Sequence, residues 1–409
     1  MAAAAPSDDP VRRQYEALPY PERDPADEAR RLIEGSPSHP VEIDHFLFRG
    51  RRDWSRPFRA LVAGGGTGDG LVMLAQKLAD IGCPAELTYL DLSAASRAVA
   101  EARMAARGLS ARFVTGDLAR APEFGPFDYI DCCGVLHHLP EPDAGFRALA
   151  EALSPEGGMG LMVYAPYGRT GVYPLQAAFG ALLGGDAPAE RVRLARAALG
   201  ALPPSHPFLR NEVLGDHRES DAGLHDLLLN ARDRAYTVAE LCAALDRAGL
   251  ELVSFIEPAR YDPLRYLSEG ADYARRVDAL EPVARMAVAE QLAGNIKTHV
   301  AYVAPKGRGR TEARPTAPEL VPHLARAAAG PLAAQVRAKG GFTVTTDGVP
   351  FRVAIPREAA PLIARIDGRR TLGQIAAGQD WLAFSAAWGP VHRALTGFNL
   401  MHYSAGARR

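Results

Sequence analysis

Three glycines, Gly64, Gly66 and Gly68, close a short apolar run and open a stretch with helical periodicity, DGLVMLAQKLAD. A strand that ends this way places backbone amides at a helix N-terminus, where they face an anionic or strongly polar ligand. Gly64 and Gly66 permit the tight turn, and Gly68 permits close approach. The spacing separates the ligands that such a loop could hold. The dinucleotide fingerprint G-x-G-x-x-G needs a further glycine at Asp69, Leu71 or Met73, and none of the three is glycine. No G-K-[ST] follows, so the loop is not a nucleoside-triphosphate cradle either.

Asp91 ends the next apolar run, at the offset of roughly 20 residues where a carboxylate accepts hydrogen bonds from both ribose hydroxyls of an adenosine. Its plain alternative is an N-cap for the helix that follows. Asp117, in FVTGDLA, falls at the same edge and suits an adenine amino group, although an isolated Gly-Asp is usually a turn. Together the glycine loop, Asp91 and Asp117 describe an adenosine slot across the switch point of a parallel sheet.

The acid–base candidates follow the fourth and fifth apolar runs. His137 and His138 are there because a free imidazole titrates near neutrality, and Tyr164 because it could orient an acceptor. Adjacent histidines after a strand also serve as a cap and a packed residue. The stripe Asp216, His217, Asp221, His225 and Asp226 matches no metal-ligand spacing and reads as a solvated helix face, so no metal is expected.

These residues need a scaffold, and the texture of the chain supplies one. Apolar runs at Ala60–Ala63, Leu87–Asp91, Arg112–Thr115, Tyr129–Cys133 and Gly160–Ala165 alternate with helical patterns at Gly70–Ile81, Ala94–Arg107 and Asp143–Leu153. Alternation of this kind predicts an α/β, doubly wound, mostly parallel sheet covered on both faces. A helix over Thr237–Ala248, capped by Thr237, and runs at Leu252–Ile256 and Thr298–Val303 bring the sheet to seven strands.

The expected organisation is an N-terminal tail and lid segment over 1–58, a sheet domain over 59–305 with helical insertions at 173–229 and 261–296, a Pro/Gly/charge-rich linker over 306–319, and a small α+β, winged-helix-like domain over 320–405. In the last of these, helices are expected at Leu320–Ala338, Arg357–Ile366, Leu372–Ala377 and Trp381–Thr396. A hairpin of Phe342–Thr346 and Phe351–Ile355 turns at Asp347-Gly348.

The balance of 47 basic against 48 acidic residues in 409 gives a net charge of −1, with no field to gather nucleic acid or an acidic membrane. The four cysteines form no C-x-x-C pair and read as reduced thiols, which fits a cytoplasmic protein. The alanine-rich start lacks the basic and leucine-rich regions of a secretory signal and is expected to be disordered, and no stretch of about 20 apolar residues occurs.

With these residues in place, the sequence resembles the class I, Rossmann-like S-adenosylmethionine-dependent methyltransferase superfamily. LVAGGGTGDG, YLDLS, VTGDL and FDYIDCCGVLHHLPEP occur in the family's order and spacing. The resemblance implies that Gly64, Gly65, Gly66 and Gly68 line the methionyl and ribose parts of S-adenosyl-L-methionine and that Asp91, with Leu92, holds the ribose. It further implies that Asp117 and Leu118 border the adenine and that Gly134, Val135 and the residues up to His138 flank the methyl group. It departs at Ala63, where many relatives carry an acid that helps hold the cofactor.

QYEALPYP and YAPYGRTGVYPLQ are similar to a bacterial subgroup with a Tyr/Pro segment before the fold, so Tyr15, Tyr20, Arg169 and Tyr173 are read as lid or substrate residues; aromatic packing is the plain alternative. Methyl transfer to an N or O acceptor on a protein, peptide or small molecule is the implied activity. A non-catalytic S-adenosylmethionine-binding scaffold is the reading of another class. The C-terminal domain is weakly similar to modules that recognise peptides and equally to ones that dimerise, which leaves a homodimer open.

Overall fold

The computed structural model describes residues 9–268 and 270–405; the expected disorder of the alanine-rich start falls on residues 1–8, outside the described residues. The chain enters through α1 (Pro10–Ala17) and α2 (Pro40–Leu47), each with proline in its first turn, where the missing amide costs nothing. Then β1 (Phe58–Ala63), α3 (Asp69–Asp80), β2 (Ala85–Asp91), α4 (Ala94–Ala106), β3 (Arg112–Thr115), β4 (Phe127–Cys133), α5 (Pro142–Ala152) and β5 (Leu153–Tyr164) alternate.

A first insertion holds α6 (Val172–Leu183), α7 (Pro188–Ala201), α8 (Asp216–Glu219) and α9 (Asp221–Leu228). The chain returns through α10 (Val238–Arg247), β6 (Leu250–Phe255), a second insertion with α11 (Ala271–Asp278) and α12 (Pro282–Ala293), and β7 (Thr298–Pro305). Helix α10 starts where predicted: Thr237 and Glu240 exchange a full capping box, so two otherwise unpaired amides are satisfied by side chains three residues apart.

The seven strands form one sheet in the order β3-β2-β1-β4-β5-β7-β6, parallel except that β7 runs antiparallel to both β5 and β6. This is the doubly wound, mostly parallel architecture the alternation predicts. Strand order reverses between β1 and β4, which opens a crevice at their carboxyl ends. Period-two alternation divides the strands between two cores. Leu61, Ala63, Ile130 and Cys132 pack on the α5 and α10 side. Ala60, Val62, Tyr89 and Tyr129 pack on the α2, α3 and α4 side.

Beyond the sheet come β8 (Val321–Leu324), α13 (Ala329–Lys339), the hairpin β9 (Gly341–Thr346) and β10 (Val349–Ala354), α14 (Ala360–Ile363), α15 (Leu372–Ala376), α16 (Trp381–Gly397) and β11 (Met401–Ser404). They enclose a second core around Trp388, Phe384 and Tyr403. The hairpin turns at Asp347-Gly348 as expected. The helix expected over Leu320–Ala338 is a correction: its first part is β8, paired antiparallel with β11. Pro322 disfavours a helical conformation for the residue before it, and the pairing partner lies some 80 residues away, beyond the reach of a local pattern.

Residues 306–319, linker-like in composition, are tied to the end of α2. Thr311 Oγ1 donates to the Phe46 carbonyl at 2.7 Å, and the Ala313 amide to that of His45 at 2.7 Å. Asn399 Nδ2 donates to Glu42 at 2.8 Å and to Ser36 Oγ at 3.2 Å, joining the C-terminal core to the segment that borders the crevice.

Candidate active site at the carboxyl end of the sheet

The crevice deepens into a cavity of about 570 Å³. Its floor is the loop between β1 and α3. Gly64 and Gly66 have φ of +67° and +51°, in the left-handed region that side chains rarely adopt. A Cβ on Gly64 would lie 2.2 Å from the Val135 side chain, so the close approach of the β4 loop requires glycine there. Gly68, read as a ligand-approach position, is placed otherwise. It caps α3 with φ +98°, and a Cβ on it would meet Ala100 of α4 at 3.0 Å, so it serves helix packing and does not line the cavity.

Asp91 sits where β2 ends. Its carboxylate accepts from the Gly66 amide at 2.8 Å and from the Ser93 amide at 2.8 Å, bracing the glycine loop against the second strand. Burial pushes its carboxyl above the ordinary range, while these amides pull it back. Asp117 borders the cavity from its exposed edge and also accepts from the Ala119 amide at 2.8 Å, so the turn and the lining roles coincide. Gly65, Leu92, Leu118, Gly134 and Val135 line the same cavity.

The N-terminal segment closes over this floor. Thr67 Oγ1 donates to the Pro21 carbonyl at 2.7 Å, and Arg23 forms a 2.7 Å ion pair with Asp69 at the start of α3. Glu16 caps α4 from outside the helix, accepting from the amides of Ala94 and Ala95 at 2.7 and 3.1 Å. Glu28 is buried between Arg103, at 2.6 Å, and Arg107. Tyr15 and Tyr20 thereby reach the cavity.

The far wall comes from β4, β5 and the first insertion. Tyr15 Oη donates to Asp226 Oδ1 at 2.7 Å, and Tyr164 Oη to Asp226 Oδ2 at 3.0 Å, so one buried carboxylate is held between two phenols from remote parts of the chain. Burial and the carboxylate together keep the Tyr15 phenol protonated far above its ordinary range. Asp226 belongs to the stripe read as a solvated face. That reading is corrected for Asp226 and His225, which are buried because α9 packs against α6 and α7.

The two histidines part company. His138 lines the cavity beside Tyr15 and Tyr164, and its Nδ1 lies 2.6 Å from the Arg232 carbonyl. A carbonyl only accepts, so Nδ1 carries the proton of the neutral ring and Nε2 keeps the lone pair. His137 does not line the cavity. It stacks behind Tyr164, with centroids 3.9 Å apart, and burial drives its pKa well below the ordinary value. Neither of its ring nitrogens meets a hydrogen-bond partner, so His137 is a packed residue and not a base.

Arg169 lies over the opposite face of Tyr164 at 3.7 Å and pairs with buried Asp233 at 2.6 Å. Tyr173 accepts from Arg169 Nε at 3.2 Å and stands behind the wall, outside the cavity lining. Sequence reasoning missed Asp226 and Asp233 because their partners are distant in the chain. It also passed over Asp131, a charge at a strand position that points into the core, which was the available signal. Ala63, taken as the site of a missing acid, faces the α5 core; the β1 side chain that meets the cavity is Val62. Among the described residues no cluster of His, Cys, Asp and Glu is placed to hold a metal ion, and no helix is long and apolar enough to cross a membrane.

With this geometry in hand, comparison with known proteins is informative. Residues 61–159 match the family described as "Methyltransferase domain". An uncharacterised protein of Synechococcus sp. is 32% identical over 256 residues, which is 60% of this chain and 59% of that protein. The polyketide synthase ThaQ of Burkholderia thailandensis is 28% identical over 169 residues, 38% of this chain and 8% of the synthase. The chain thus spans about three fifths of the first relative's length and 8% of the second's. The structure of PKMT2 from Rickettsia typhi in complex with AdoHcy shares the fold with a TM-score of 0.61 at 14% identity, covering 90% of this chain and 75% of that one.

Residues 61–159 are thus similar to a methyltransferase domain, and the chain shares the fold of the Rickettsia typhi structure. More particularly, the methyltransferase-domain match lies in a sheet whose chain carries helical insertions after β5 and β6.

Proposed function

We propose that the protein transfers a methyl group from S-adenosylmethionine to an amine nitrogen. The cavity suits the donor: a glycine loop offers amides and a strand-end carboxylate suits a ribose. When bound, S-adenosylmethionine supplies a methyl group on a sulfonium that is already a good leaving group. The side chains then have to orient, dry and deprotonate the acceptor rather than attack anything. Alignment alone supplies on the order of 7 kcal/mol in favourable cases.

The observation that carries the amine reading is the Tyr15–Asp226–Tyr164 clamp. Eight carboxylates line the cavity against four basic side chains, and among the described residues no Arg or Lys lies within ion-pair distance of Asp226. A buried carboxylate without a cation is costly, and an ammonium acceptor supplies the missing charge. The acceptor's ammonium docks on Asp226, its proton passes to His138 Nε2, and the neutral amine faces the methyl group. A hydroxyl acceptor would leave Asp226 without its counter-charge.

The test is turnover. Purified protein with labelled S-adenosylmethionine and separate pools of peptides, small amines and hydroxylated metabolites should release S-adenosylhomocysteine with an amine pool. Release with the hydroxylated pool alone would overturn the amine assignment. Cofactor binding without turnover on any pool would favour the scaffold reading.

A further inference from the structure

We propose that Asp131, carried by β4, holds the α-ammonium group of the cofactor's methionyl end. The proposal rests on the S-adenosylmethionine reading above. In the parallel pairing of β1 and β4, Asp131 stands directly opposite Val62. Both side chains lie on the α3 face of the sheet, and both line the cavity. A carboxylate therefore stands beside Val62, one strand over and at the same height below the glycine loop.

Asp131 is buried beside hydroxyl and thiol donors, with no cation among the described residues next to it. The residue is 4% exposed, between Ile130 and Cys132 in a strand whose other acid, Asp128, lies near its start. Its carboxylate accepts from Ser38 Oγ, which is in turn 2.9 Å from Tyr129 Oη. Among the described residues no Arg, Lys or His lies within ion-pair distance of it. A Cβ on Gly70 would sit 2.8 Å from Asp131 Oδ2, so glycine in the first turn of α3 makes room for this carboxylate. Burying an acid in a strand without a cation is unfavourable unless a ligand brings one. The ammonium of an amino-acid ligand would supply that cation.

The experiment compares two probes by calorimetry: S-adenosylhomocysteine, and its analogue with hydrogen in place of the α-amino group. Wild-type protein is expected to prefer the amino compound by at least tenfold. Asp131→Asn, which keeps shape and removes charge, should bind the amino compound about tenfold more weakly and the deaminated analogue as wild type does, so the preference collapses. A preference unchanged in Asp131→Asn, whatever happens to the absolute affinities, would overturn the proposal, because a merely structural role weakens both probes alike.

If Asp131→Asn does not fold, the exchange Val62→Asp with Asp131→Val carries the same comparison. Retention of the preference supports a carboxylate at this height, and its loss with the deaminated analogue still bound overturns it. Wild-type protein that binds neither probe would remove the cofactor reading itself, and this proposal with it.

Discussion

The two halves of the cavity are made in opposite ways. The cofactor half is assembled from consecutive strand ends: the β1–α3 loop, Asp91 at the end of β2 and the 3-10 turn after β3. The half proposed for the acceptor joins Tyr15 to Asp226 across 211 residues, and Tyr164 to the same carboxylate across 62. A half made of local junctions can be copied between proteins with its binding property intact. A half made of remote segments can change with each insertion, and this one takes its buried carboxylate, Asp226, from the insertion after β5.

If the halves are separable in this way, substitutions should split binding from turnover. The largest effect is expected for Asp226→Ala, which removes the counter-charge for the acceptor and two phenol hydrogen bonds. Turnover should fall by about 100-fold or more, on the order of 2.7 kcal/mol, while S-adenosylhomocysteine affinity measured by calorimetry stays within about twofold. A parallel loss of cofactor affinity would erase the division.

Asp91→Ala should do the reverse, weakening S-adenosylhomocysteine binding by about 1–3 kcal/mol through lost hydrogen bonds to a charged group and by release of the Gly66 brace. Unchanged affinity would sink the ribose assignment. Tyr164→Phe comes next. It deletes one hydrogen bond to Asp226 but keeps the ring between Arg169 and His137, so turnover should drop by about tenfold or less, with cofactor affinity unmoved.

The smallest effect is the pH dependence of cofactor binding. Burial raises the Asp91 pKa, and ribose hydroxyls donate to the ionised carboxylate, so affinity should fall as pH drops through that raised value. Asp91→Asn, with no proton to gain there, should flatten the acid limb; an identical limb in both proteins would assign it to another group.

What was legible follows the same division. The glycine turn, Asp91 and Asp117 could be placed because strand ends in a parallel sheet must converge on one edge, so spacing along the chain stands in for geometry. The seven strands were visible for a related reason: strands buried on both faces read as apolar runs. His137 and His138 could not be told apart, since adjacent residues differ only in which one the tertiary packing behind Tyr164 swallows. Strand β8 was read as helix because its partner β11 lies at the far end of the chain.

The sequence by itself determined the sheet and the loop at Gly64–Gly68, because those features depend on periods of two and 3.6 residues and on backbone angles that only glycine takes freely; the cofactor came from the resemblance. Only the tertiary structure decided that Gly68 packs helices, that His138 and not His137 faces the cavity, and that Asp226 is clamped between two tyrosines. It also decided that the carboxylate beside Val62 comes from β4. Those outcomes depend on strand register and on which distant segments bury one another, and no local pattern records either.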